Sequence, residues 1–76
     1  MPNIFTQEYE EFRRRLVQAR LDAGMMQTEV AEALGKPQSY VSKCERGERR
    51  LDAIELAQWA KLYNKPLTFF LEHVLD

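Results

Sequence analysis

Three residues at fixed spacing do most to restrict what this chain can fold into: Ala31, Gly35 four positions on, and Val41 six beyond that. Each meets a separate demand of two short helices joined by a tight turn and crossing at a steep angle. The inward residue of the leading helix must be small so that the axes can approach, and Ala31 is small. The chain must reverse just after that helix through a left-handed backbone, which glycine adopts without steric cost, and Gly35 stands there. An apolar side chain of the following helix must fill the space between them, and Val41 is placed to do so. Val30, Leu34 and Cys44 complete the apolar set.

The rest of the chain reads as helix on both sides of this unit. A first helix is predicted over about 6–23: Thr6 is an N-cap, Glu8, Glu10 and Glu11 suit the early turns, and Gly24 closes the far end. Tyr9, Phe12, Leu16 and Ala19 step by three or four along one face. The second helix spans about 27–34. The third starts near Pro37 or Gln38 and is closed by Gly47, with Val41 and Cys44 inward, Tyr40 at the edge, and Gln38, Ser39, Ser42 and Lys43 outward. Asp52 caps a fourth helix reaching Tyr63, with Leu56, Trp59, Ala60 and Tyr63 inward and Asn64 as a left-handed terminator. Pro66 opens a fifth, over about 66–75. No sustained period-2 alternation marks a strand. The expected architecture is all-α, five helices in one domain over 1–76 with its core over about 6–75. The apolar residues, 45% of the chain, supply that core; with a single cysteine no intrachain disulfide can assist it.

Net charge is only −1, but the charges are not spread evenly. Residues 36–50 hold five basic side chains (Lys36, Lys43, Arg46, Arg49 and Arg50) against two acidic ones, Glu45 and Glu48, while acidic residues outnumber basic ones on either side. Such a segment suits a phosphate backbone, or else it is a solvated charged loop. The short Met1 to Phe5 stretch has no signal-peptide character, no apolar run is long enough to span a bilayer, and a cytoplasmic location is expected.

The run Gln27-Thr28-Glu29-Val30-Ala31-Glu32-Ala33-Leu34-Gly35, then Gln38-Ser39-Tyr40-Val41-Ser42-Lys43 and Glu45-Arg46-Gly47, resembles the Cro/C1-type (XRE) helix-turn-helix family of phage and bacterial regulators. The resemblance covers roughly Leu16 to Phe70. It implies a compact lambda-repressor-like domain that binds double-stranded operator DNA, usually as a homodimer, with the third helix in the major groove. It further implies that Gln27 contacts a phosphate and braces a base-reading residue, that Gln38 and Ser39 reach base edges, and that Ser42 and Lys43 lie one turn on. Arg46, Arg49 and Arg50 then fall in a loop that touches the DNA backbone, and Arg20 and Glu45 correspond to a structural ion pair. Tyr40 either packs at the edge or donates to a phosphate. Two positions depart from the family pattern. Met26 stands where a hydroxyl or amide N-cap is usual, and Lys36-Pro37 replaces an apolar residue followed by a serine cap.

Phe69, Phe70 and Val74 make the last helix unusually apolar and are candidates for a dimer interface. Cys44 has core spacing rather than the exposure of a redox sensor. His73 is a lone histidine, expected at an interface or the surface; no second histidine or cysteine pair exists to complete a metal site, and no cofactor is expected. Nothing resembles a nucleophile-base pair or a phosphate-binding glycine loop, so an enzyme is not expected. The competing reading is a protein-interaction module, since the fold implied by the resemblance also serves antitoxins that neutralise a toxin partner.

Overall fold

The computed structural model describes residues 6–75; the reading made for Met1 to Phe5 lies outside them. Five helices follow one another: α1 (Gln7–Asp22), α2 (Gln27–Leu34), α3 (Gln38–Glu45), α4 (Ala53–Tyr63) and α5 (Leu67–Leu75). No helix among the described residues is long and apolar enough to cross a membrane.

Local chemistry sets each boundary. The Thr6 hydroxyl accepts the Tyr9 N–H at 3.1 Å and opens α1. Its end is a Schellman turn, in which the Met25 N–H reaches the Arg20 carbonyl at 3.1 Å while Gly24 takes φ 67°. The same device closes α2, where Gly35 has φ 68° and the Lys36 N–H bonds the Ala31 carbonyl at 2.9 Å. An added Cβ at Gly35 would meet nothing within 4 Å, so the left-handed backbone alone asks for glycine there. Asn64 makes the corresponding turn after α4 at φ 55°.

The apolar stripes converge on one core. Leu16 and Ala19 of α1, Val30 and Ala31 of α2, Val41 and Cys44 of α3, Leu56, Trp59, Ala60 and Tyr63 of α4, and Phe70 of α5 are all buried. Helix α2 packs chiefly on α3, and α1 lies against α3, α4 and α5. Burial pushes the Cys44 thiol pKa up, which keeps it a packed thiol rather than a reactive one.

One expectation is corrected here. Phe70 is completely buried and packs edge-to-face on Phe69, so it belongs to the core and offers no surface to a second subunit. Phe69 is half-buried between the Lys65 ammonium, 4.4 Å from the ring centre, and the Arg15 guanidinium at 5.9 Å. Val74 is 43% exposed, and Leu75 is more so. His73 is an internal tie: its Nε2 lies 2.9 Å from the Glu8 carbonyl, joining the last helix to the first.

Candidate nucleic-acid interface

The exposed start of α3 is wired to the protein interior by a chain of polar contacts. Arg20 on α1 meets Glu45 at the end of α3 through two bonds, Nε to Oε2 at 2.7 Å and Nη2 to Oε1 at 3.2 Å. Both side chains are largely withdrawn from solvent, Glu45 almost entirely. A third guanidinium N–H of Arg20 donates to the Met25 carbonyl, and Arg13 donates to the Glu45 carbonyl at 3.2 Å, capping the end of α3. Burial, and after it the Glu45 carboxylate, push the neighbouring Tyr63 phenol far above its ordinary pKa.

From Glu45 the chain runs outward. Gln27 Nε2 donates to Glu45 Oε1 at 2.8 Å, and Gln38 Nε2 donates to Gln27 Oε1 at 2.7 Å. The carboxylate fixes the direction of both amides, because an ionised carboxylate only accepts. Gln27 must therefore turn its NH2 inward and its oxygen toward Gln38, and Gln38 must answer with an N–H. Beyond this bond Gln38 retains a second N–H and its carbonyl oxygen.

At α2 the N-cap position holds Met26, whose side chain makes no cap bond and is exposed. Glu29 accepts the Met26 N–H at 2.8 Å, the reciprocal half of a capping box. Pro37 likewise gives α3 no side-chain cap, and its fixed φ of −66° leads into the first turn. Ser39 and Lys43 are exposed on α3 beside Gln38, and Ser42 is half-buried.

The loop after α3 holds its cations in different ways. Arg46 pairs with Glu48 at 2.8 Å and contacts the Ser42 hydroxyl; both charged side chains of the pair are more than half exposed. The Arg50 guanidinium lies 4.4 Å from the centre of the Tyr9 ring. Arg49 lies 4.8 Å from the Tyr40 ring centre, donates to the Arg50 carbonyl at 2.9 Å and pairs with Glu55 at 2.9 Å. Tyr40 in turn donates its hydroxyl proton to Glu55 Oε2 at 2.9 Å and accepts the Trp59 Nε1–H at 3.4 Å. Of the two uses left open for Tyr40, the geometry answers to edge packing: its only proton is already given to a carboxylate.

Glu55 was not singled out in the sequence. Bonding to Arg49 first, and then to the Asp52 N–H, holds its pKa at about 2 against an ordinary 4.5. A carboxyl whose folded pKa is depressed contributes stability above the unfolded value, and that contribution fades as pH falls through the folded one. The window here runs from about 4.5 down to about 2. Acid titration of thermal unfolding should show the wild type losing Tm more steeply across that window than Glu55→Gln; parallel curves would mean that Glu55 has no such role.

These features sit within a longer match. A family model described as helix-turn-helix matches residues 16–70, from the middle of α1 into α5. No curated protein matches the sequence. The match spans well over half of the chain and includes the whole of α2, α3 and α4 with the turns between them, so the chain belongs to the Cro/C1-type helix-turn-helix family of DNA-binding regulators.

Proposed function

We propose that this protein is a sequence-specific regulator that reads operator DNA in the major groove with α3. The observation that carries this reading is the fixed amide of Gln38. An adenine presents there an N6 donor and an N7 acceptor, and a glutamine satisfies both at once. The carbonyl oxygen and second N–H that Gln38 retains, after its bond to Gln27, match that edge. Ser39, Ser42 and Lys43 flank it on the same helix, Gln27 braces it from α2, and Arg46 and Arg50 serve the phosphates on either side.

Binding as a homodimer follows from the same reading. Val74 and Leu75 leave an apolar strip on α5, and two-fold pairing would set two recognition helices about 34 Å apart on one face of a duplex. Whether the regulator represses or activates is a property of where its operator lies.

The test is a salt titration of binding to the DNA upstream of the protein's own gene, against a scrambled duplex. Preference for the upstream duplex, with affinity falling steeply as salt rises, supports the reading. Gln38→Ala is expected to lose preference at one base position, worth about 1–3 kcal/mol, and Arg50→Ala to weaken binding to both duplexes alike. Equal, weak binding to both duplexes by the wild type would instead favour a protein-interaction module of the antitoxin kind, and the search would turn to a protein partner.

A further inference from the structure

We infer that Glu55 is a positioning residue that holds Arg49 off the DNA backbone and ties the loop after α3 to the recognition helix. The inference rests on the DNA-binding reading above and refines which cations of that loop engage phosphate.

One carboxylate gathers partners from three places. Glu55 Oε2 accepts the Tyr40 hydroxyl of α3 at 2.9 Å. Glu55 Oε1 accepts the Asp52 N–H at the start of α4 at 3.0 Å, while Asp52 Oδ1 accepts the Glu55 N–H at 2.7 Å. Arg49 Nη1, from the loop between those helices, donates to Glu55 Oε1 at 3.1 Å and forms an ion pair with Oε2 at 2.9 Å. The recognition helix, the basic loop and the following helix therefore share a single anchor.

Contrast with Arg46 decides what this means for DNA. The Arg46–Glu48 pair stands in water, with side chains 54% and 52% exposed. Such a pair gains little from its own attraction, so Arg46 exchanges Glu48 for a phosphate at small cost. In the Arg49–Glu55 pair the arginine is 44% exposed but the carboxylate only 16%. Withdrawing Arg49 would leave a part-buried carboxylate with only the Tyr40 hydroxyl and the Asp52 N–H to meet its charge, and would take the guanidinium from the face of Tyr40. A phosphate at the surface, itself screened by salt, does not repay that exchange. Of the loop's arginines, Arg49 thus stays with the protein, and sequence-independent binding is weaker by one phosphate contact than the number of basic residues suggests.

Each phosphate contact on duplex DNA contributes about 0.9 to the slope of log K against log salt. The experiment measures that slope on a scrambled duplex for the wild type, Arg46→Gln, Arg49→Gln, Glu55→Gln and Arg49→Gln with Glu55→Gln. Glu32→Gln, on the exposed face of α2, controls for an equal change in net charge. Expected are a shallower slope by about 0.9 for Arg46→Gln and an unchanged slope for Arg49→Gln. Glu55→Gln should steepen the slope by about 0.9 and raise affinity several-fold at low salt, beyond the Glu32→Gln control, and the double variant should return to the wild-type slope. A slope that falls by about 0.9 in Arg49→Gln overturns the inference, as does Glu55→Gln behaving like the control.

Failure of the wild type to bind any duplex would count against the DNA-binding reading, not against the anchor. The anchor is then judged by thermal unfolding of the same four proteins of the Arg49/Glu55 cycle. Tm losses that are not additive support it; strictly additive losses overturn it.

Discussion

Replacing Glu45 by Ala should cost about 3–5 kcal/mol, enough to leave a domain of this size largely unfolded at ordinary temperature. The loss is larger than that of a surface ion pair because Arg20 remains, withdrawn from water, with no carboxylate to meet it. Deleting both partners is a different experiment. Arg20→Met with Glu45→Leu removes the charge together with its counter-charge, and such replacements of a buried pair are often neutral or better. The double variant is therefore expected to unfold at a temperature near that of the wild type. It should nonetheless lose operator preference, since Gln27 no longer has the acceptor that orients its amide toward Gln38. Chemical denaturation of both variants, with duplex binding by the double variant, checks this. Retention of full operator preference by a folded double variant would show that Gln38 reads DNA without its brace, and equal stability of the single and double variants would remove the buried-charge argument.

How much of this was legible beforehand depends on the range of the interaction. Helix ends were, because they depend on near neighbours: Thr6 and Asp52 as caps, Gly24, Gly35 and Asn64 as left-handed terminators. The α2–α3 packing was legible from Ala31, Gly35 and Val41, since an αα-turn imposes its demands within a dozen residues. The place of Arg20 beside Glu45 came only with the family resemblance; 25 positions apart, they carry no local pattern. Within the Phe69-Phe70 pair, nothing in a nine-residue helix that is apolar on several sides decides which ring turns inward. Glu55 shows the limit most clearly. Asp52 followed three residues later by Glu55 is a visible capping-box spacing, and the box is formed. The same carboxylate also reaches Tyr40, 15 positions back, a contact that exists only once α4 lies against α3. Likewise Arg15 of α1 crosses to the Phe69 carbonyl and Glu72 to fasten α5, 54 and 57 positions on.

Trp59→Ala is expected to be as damaging as the loss of Glu45, by about 3–5 kcal/mol, through a cavity rather than a stranded charge. Trp59 is fully buried, with Tyr63 edge-on at 6.1 Å on one side and Tyr40 tilted against it at 6.1 Å on the other. Truncation removes the largest side chain of the core and leaves the Tyr40 hydroxyl without its Trp59 donor. The consequence for function differs from that of Glu45. The path from Arg20 through Glu45 and Gln27 to Gln38 does not pass through Trp59. Molecules of Trp59→Ala that do fold should accordingly still read the operator, and DNA that binds only the folded form will draw the population toward it. At a free duplex concentration 100 times the dissociation constant that linkage is worth about 2.7 kcal/mol, most of what the substitution removes. Circular dichroism should thus record a largely unfolded variant alone and a largely helical one with excess operator, whereas a scrambled duplex at the same concentration and moderate salt restores much less. Equal rescue by both duplexes would mean that folding is being pulled by backbone contacts alone, and that the aim of Gln38 depends on the Trp59–Tyr40 contact after all.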